Sequence, residues 1–513
     1  MPKAFFFMIN IAVLVFANAF ADTNANFDSG YRLVPGTYMV AIIDSGVDYL
    51  HPALGGCFGP QCKVAFGYDL VGDQYSPISS PIPVPDDDPM DNCSFSATGT
   101  HVAGIIAANA TGISQTSFIP YVPFVGVAPQ ATLGAYILVI ISVNLTSLCL
   151  VTVPSGHPEA YAENVDAIAA QRVSDRGVYV AFSHGINGGQ GVQACGSPGI
   201  SLGAMSVASV DNGHTIQFYL ITPNGEKIFY SPGGIFGPWP FIVNSTIIVN
   251  DPHATVNDGC NGPAKSVTGA VVLYMFNTGD SCGSAVRCNK AAAANASGCL
   301  LYNVGPIAGS SFIPSGSISL ADGQRIAAIT TQNPSAVFTF TNLVNLLSTS
   351  TGGTPSSFTS LGPTGDLLFK PQISALFLAQ IGNPAPETVG FTSRCANCRP
   401  SFSEVVNIFQ SNAKPVNIYN TSMLSTTIEQ GAGLVNAFQA LTATTIISPS
   451  ELALNDTVRR QKFYKIKVYN NGNKPVRYSI GHRGAAMATP KQPGDDQLLL
   501  IPKYTADYAV SYV

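Results

Sequence analysis

The apolar positions of this chain fall into two kinds of pattern. The first is the short continuous run. Tyr38 to Ile43 is apolar throughout and closes on Asp44-Ser45-Gly46. A run of that length bounded by turn residues predicts a strand buried on both faces, with a carboxylate at its C-terminal end. Val178 to Phe182 and Ala135 to Val143 read the same way. The second pattern is helical. Thr100 to Ala108 is small and apolar, which predicts a buried helix. Pro158 to Arg176 is amphipathic, with Ala162, Val165, Ile168, Ala169 and Val173 expected on the inner side. Strand, helix, helix and strand in that order predict an α/β domain whose chemistry sits at the C-terminal strand ends.

From about Asn212 the pattern changes to short apolar runs between turn signals such as Pro223-Asn224-Gly225. Gly269 to Met275 and Gly298 to Tyr302 read as strands, with a short Ala-rich helix over Arg287 to Ala296 between them. This stretch is expected to be a mostly β domain inserted into the first. Near the end, Phe463 to Tyr469 and Lys474 to Ile480 flank Asn470-Asn471-Gly472-Asn473, which predicts a hairpin opening a β-sandwich.

The first residues are different again. Lys3 precedes an apolar run from Ala4 to Phe16 broken by Asn10, and Ala19-Phe20-Ala21 places small residues at a cleavage site. Residues 1–21 therefore read as a secretory leader, too short for a bilayer span. Export changes the reading of other residues. Asn92, Asn109, Asn144, Asn244, Asn295, Asn420 and Asn455 each begin an Asn-x-Ser/Thr triplet, the acceptor for glycan in an exported protein. The 11 cysteines become candidates for disulfides, with one thiol left over. Cys57 with Cys62 and Cys395 with Cys398 are local pairs. Cys282 and Cys288 pair with each other or with Cys260 or Cys299. No further ligands accompany Cys395 and Cys398, so no metal is expected.

Composition then excludes other classes. With 46% hydrophobic and only 10% charged residues, the chain is not disordered. A net charge of −5 and no basic cluster exclude a nucleic-acid binder. The 513 residues are enough for about three domains.

Several blocks carry a resemblance. Ala41-Ile42-Ile43-Asp44-Ser45-Gly46-Val47-Asp48, His51-Pro52-Ala53-Leu54-Gly55-Gly56, Gly99-Thr100-His101-Val102-Ala103-Gly104, Gly126-Val127-Ala128-Pro129, Ser206-Val207-Ala208-Ser209-Val210 and Gln430-Gly431-Ala432-Gly433-Leu434-Val435-Asn436-Ala437 resemble the landmarks of the subtilisin-like serine proteases, the subtilases. Asp258 to Asn303 resembles the protease-associated domain that large secreted fungal members carry as an insert. The resemblance implies a subtilisin-like α/β parallel-sheet domain with a mostly β protease-associated insert and a truncated C-terminal fibronectin-like β-sandwich. The implied segments are a signal peptide at 1–21, the N-terminal part of the catalytic domain at 22–211, the insert at 212–345, the C-terminal part at 346–447 and the sandwich at 448–513.

It also implies a serine nucleophile, a histidine base, an orienting aspartate and oxyanion donors. Asp44 fills the aspartate position. Thr98 occupies the slot of the histidine base, and a threonine hydroxyl cannot take up a proton near neutral pH. His101 matches the second histidine of that block, which packs rather than reacts. Ser393 is the candidate nucleophile, but Phe391, Arg394 and Asn397 depart from the family's block around it; the competing reading is a surface loop with two cysteines. Asn187 is the candidate oxyanion donor, one place late, with Ile186 in its slot. His184 stands where the family has alanine, and is read as incidental. The family implies no cofactor. It implies extracellular proteins or peptides as substrate or ligand, no membrane after leader removal, and a monomer. Three readings stay open: an inactive subtilase, a secreted binding protein working through the insert, and an active protease whose sequence is misjoined.

Overall fold

The computed structural model describes residues 12–16, 39–75, 80–91, 98–113, 124–137, 160–233, 239, 241–251, 253, 256–277, 279–305, 307–310, 312–376, 401–452, 463–479, 481, 483–485, 487–489 and 499–501. It divides into two units: one combines residues 1–109, 125–213 and 350–513, the other residues 110–124 and 214–349.

The first unit begins with β1 (Ala12–Phe16), β2 (Met39–Asp44), β3 (Val64–Asp69), α1 (Thr98–Ala107), β4 (Thr132–Ile137), α2 (Val165–Asp175), β5 (Tyr179–Ser183) and β6 (Ala204–Val210). The second contains β7 (His214–Ile221), β8 (Lys227–Gly233), β9 (Val243–Val249), β10 (Val271–Met275), α3 (Ser284–Ala293), β11 (Gly298–Tyr302), β12 (Ser315–Ile318), α4 (Leu320–Gln332) and β13 (Val337–Ser348). The first unit resumes with β14 (Ile373–Leu376), α5 (Phe402–Asn412), α6 (Thr427–Gln430), α7 (Ala437–Thr442), β15 (Thr445–Ser448), β16 (Lys467–Asn470), β17 (Met487–Thr489) and β18 (Leu499–Ile501).

The main sheet has the order β14-β6-β5-β1-β2-β4-β3. Within it β2, β4 and β3 pair in parallel, as do β5, β6 and β14. Continuous apolar runs suit such strands because helices cover the sheet. Phe409 and Val405 of α5 join Met205 and Ile373 in one buried cluster; Ala170 of α2 joins Val180, Phe182 and Ala204 in another. Asn164 caps α2 by accepting from the N–H groups of Asp166 and Ala167. Ser401 and Glu404 form a reciprocal capping box on α5.

Part of the segment expected to be a leader enters this architecture. Ala12–Phe16 form β1, paired antiparallel to β2 on one side and β5 on the other.

The second unit is a closed barrel in the order β10-β11-β12-β8-β7-β13-β9. Its interior holds Trp239, stacked on Phe340 with ring centres 4.4 Å apart and meeting Tyr230 edge-on at 5.3 Å. Disulfides Cys260–Cys282 and Cys288–Cys299 lie in this unit, resolving the alternatives open in the sequence, and Cys57–Cys62 forms in the first. Cys195 is buried, and its thiol donates to Pro363 O at 3.5 Å. The points where the chain leaves for the barrel and returns are laced together. Asp211 N–H donates to Thr354 O, Gly353 N–H to Asp211 O and Ser356 N–H to Ser209 O.

Five expectations need correction. The buried residues of α2 are Ala167 and Ala170, with Val173 packed on the same cluster as expected but Val165 76% exposed, because small residues let the helix sit close to β5. The Ala-rich helix begins at Ser284, ahead of Arg287, and ends at Ala293. The barrel's last strand runs to Ser348, beyond the edge expected at 345, because its pairing with β7 continues to His214 opposite Ser348. The hairpin across Asn470–Asn473 does not form. β16 pairs instead with β15, and Asn470 turns its side chain to Gly472 N–H and Lys474 O. The C-terminal segment consequently contributes two-stranded ribbons, β15–β16 and β17–β18, and no sandwich among the described residues.

Candidate active site

Asp44 closes β2 and is 1% exposed. Its Oδ1 accepts from the N–H of Ser45 at 2.6 Å, while its Oδ2 is buried with no hydrogen-bond partner. Burial pushes the carboxyl up to about 7; the hydrogen bonds from Ser45 oppose this, and the charge of Asp91 adds to it. A buried carboxylate with one oxygen unpartnered is costly.

The helix α1 packs against the turn after β2. Gly99 packs directly on the turn after Asp44: a Cβ there would lie 2.0 Å from Gly46 O and 3.1 Å from Asp44 Cβ. Only glycine permits that approach. Thr98, the first residue of α1, therefore stands in the chain beside the buried carboxylate. His101 is exposed and does not bond Asp44 Oδ2. A brace that sequence reasoning missed holds this junction. Gly99 N–H donates to Ser45 Oγ at 3.0 Å, Ser45 Oγ to Asp91 Oδ2 at 3.3 Å, and Thr100 Oγ1 to Asp91 Oδ2 at 2.7 Å. Asp48 N–H in turn donates to Thr100 Oγ1 at 2.8 Å. The only sequence signal was the density of aspartates from Asp86 to Asp91.

Asn187 follows β5. Its N–H donates to Ser360 Oγ at 2.9 Å, its Oδ1 accepts from Gln190 at 3.4 Å, and its Nδ2 is buried with no acceptor. The loop is pinned by Gly188 N–H to Phe358 O and Ser360 N–H to Gly185 O. Ile186 is half-buried. A held amide with an unused donor is what oxyanion stabilisation requires. Ala12 lies opposite both Ile43 and Phe182, so Asp44 and Ser183 are level. Two strand spacings, about 10 Å, separate them. The structure thus brings Asp44, Thr98 and Asn187 to one end of the sheet. Ser393 lies outside the described residues, as do Cys395 and Cys398.

His184 is sealed in the interior. Its Nδ1 is 2.9 Å from Ser206 Oγ and its Nε2 has no partner. Burial and the nearby Lys370 charge push its pKa down to about 3, so it stays neutral. Lys370, 2% exposed, donates to Ser201 O and Ala204 O at 2.6 and 2.7 Å. Sequence reasoning did not reach this buried lysine, because its acceptors are backbone carbonyls far along the chain. No group of three or more His, Cys, Asp or Glu among the described residues is arranged to hold a metal. No helix among them is long and apolar enough to cross a membrane.

Residues 36–139 match the subtilase family, and residues 245–326 match the PA domain. The minor extracellular protease Vpr of Bacillus subtilis (strain 168) is 28% identical over 366 residues, 66% of this chain and 40% of that protein. The PIII-type proteinase of Lactococcus lactis subsp. cremoris (strain SK11) is 24% identical over 437 residues, 70% of this chain and 21% of that protein. This chain thus spans well under half the length of either relative. Among solved structures, the psychrophilic subtilisin-like protease Apa1 of Pseudoalteromonas sp. AS-11 is 16% identical, covering 79% of this chain and 92% of that one, with a TM-score of 0.32. The chain thus carries a subtilase-family segment over residues 36–139 and a PA domain over residues 245–326.

Proposed function

We propose that this chain is a secreted member of the subtilisin-like serine endopeptidases that no longer hydrolyses peptides. The observation carrying this reading is Asp44: a buried carboxylate at the strand end with Oδ2 unpartnered, beside a helix that begins with Thr98. In the intact reaction the aspartate orients a histidine, the histidine takes the proton of the serine as it attacks the peptide carbonyl, and amide donors hold the oxyanion. Here the first and last parts have residues to serve them, Asp44 and Asn187, and the base between them is replaced. Ser393 lacks its family surroundings. In serine proteases the loss of one triad member lowers kcat by about 10⁴–10⁶, and further losses add little because the members act as a unit.

Export is supported by three disulfides and by the exposure of Asn109, Asn244, Asn295 and Asn420, each at an acceptor triplet. The ligands or substrates of such a protein are extracellular proteins or peptides, taken up by a monomer that needs no cofactor. The closed barrel favours one second reading, a secreted binding protein that uses the insert.

The test is hydrolysis of a broad fluorogenic peptide set by the purified chain and by Thr98→His. Both are expected at background, because the nucleophile block is disrupted as well. Ordinary turnover by the purified chain, abolished by Ser393→Ala, would overturn the reading. It would then favour a transcript with an intact histidine block.

A further inference from the structure

The strand β1 is out of keeping with its sheet. β2 and β5 both run antiparallel to it, and therefore parallel to each other. Every other pairing in this sheet is parallel. An antiparallel strand in a mostly parallel sheet ordinarily sits at an edge, where one side alone must match. Here it sits inside, hydrogen-bonded on both sides, and it comes from the segment whose sequence marks it for removal. β4 and β5, consecutive among the described strands, lie three places apart in the sheet order, whereas consecutive strands usually lie side by side. Without residues 12–16, the rest of the described chain leaves one strand-width unfilled between β2 and β5. Both bordering strands would then present unpaired N–H and C=O groups, a template for another strand.

We propose that the space between β2 and β5 is a strand-accepting slot for an extended apolar peptide, occupied in the uncut chain by its own leader. The occupant's chemistry is read from the segment that fills it. It is five residues long, Ala-Val-Leu-Val-Phe, uncharged and rich in β-branched residues. Its register reaches from Met39 to Ile43 on one side and from Tyr179 to Phe182 on the other. Main-chain pairing on two edges would supply affinity, as in other strand-addition complexes. Leader removal would then free a peptide site beside Asp44. The inference concerns the sheet and does not depend on whether the site above hydrolyses anything.

The experiment uses the full chain with a specific protease site introduced after Ala21. The folded protein is nicked, and hydrogen exchange is followed at Val40–Ile43 and Val180–Phe182. The leader fragment is expected to remain bound. A labelled peptide of residues 10–18 should displace it, and the same peptide with Leu14→Pro should compete about tenfold or more weakly, because a proline inside a two-sided strand loses a ladder bond. Release of the fragment with those amides still protected would mean that β2 and β5 close on each other, and would overturn the proposal. So would failure of the labelled peptide to bind. In case nicking unfolds the chain, Leu14→Pro in the uncut chain gives a second readout. Loss of protection at both strands supports the slot, and unchanged protection refutes it.

Discussion

The sheet around Asp44 and the inserted barrel each bury a charge, and they treat it differently. In the barrel, Arg287 reaches Asp280 at 2.5 Å, with both side chains fully buried. Asp280 also accepts from the N–H groups of Asn257 and Asn277. In the sheet, one oxygen of Asp44 accepts from Ser45 and the other meets nothing. Arg287 finds its counter-charge a few residues away, on the turn before its own helix. Asp44 has no such counter-charge among the described residues; the helix packed on its turn, α1, begins at Thr98. The contrast separates two ways of keeping a buried charge. A local pair survives as long as its turn folds. A lone buried charge has no such local support, and the fold around it must bear its cost.

The sharpest way to break this comparison is Asp280→Asn, which strands Arg287 without its counter-charge. Removing one member of a buried pair typically costs about 3–5 kcal/mol. Trp239, the single tryptophan, lies in the barrel core and reports the unfolding of that unit by fluorescence. A loss below about 1 kcal/mol would show that the pair is solvated in solution.

Asp44→Asn should do the reverse. The folded carboxyl titrates near 7 rather than at its ordinary 3.8, so the native state takes up a proton between those values. Its burden on stability is absent below about pH 3.8, grows as pH rises through the window, and levels off above about 7. The substitution is therefore expected to stabilise the first unit by up to about 4 kcal/mol at pH 8 and to change little at pH 3.5. Urea unfolding at the two pH values, read by far-ultraviolet circular dichroism, checks this. An equal effect at both would show that Asp44 is paired after all.

Replacing Cys260 and Cys282 together by serine sharpens the comparison from the barrel's side. The bridge closes a loop of 22 residues, for which chain entropy gives about 3 kcal/mol. Only the Trp239 transition should move. The smallest effect is expected at Asn244, exposed on β9 and accepting from Thr339 Oγ1 at 2.7 Å. Asn244→Gln should remove one glycan from the secreted product by mass, with stability changed by no more than about 0.5 kcal/mol.

Much of the architecture was legible where local pattern and final environment agree. β2, β5, β10 and β11 are continuous apolar runs buried in the interior, and α1 follows a run of small apolar residues. The pattern failed where the partner was distant. Asn470-Asn471-Gly472-Asn473 is a strong turn signal, yet β16 was claimed by β15 before the turn rather than by the segment after it. In α2 the expected inner residue Val173 does pack on the sheet, but Val165 is exposed and the buried positions are Ala167 and Ala170. At the candidate site, the place of Asp44 at a strand end and of Thr98 ahead of Gly99 could be read from residue order alone. The free Nδ2 of Asn187 could not, because it depends on a loop held by Ser360, far along the chain. The Ser45–Asp91–Thr100 brace was hidden for the same reason.

The lacing of Ser209–Asp211 to Gly353–Ser356 has a further consequence. The chain departs and returns at adjoining points, so the path of the main sheet is indifferent to what is carried between them. Loop-closure entropy rises only slowly with length, which makes the size of the passenger nearly irrelevant to its host. That junction is a graft point: a short Gly-containing turn joining Asp211 to Gly353 should leave the sheet intact, and another domain with neighbouring termini should be transplantable there. The barrel is in this sense portable cargo, free to acquire or lose a role at a pace independent of the sheet that carries it.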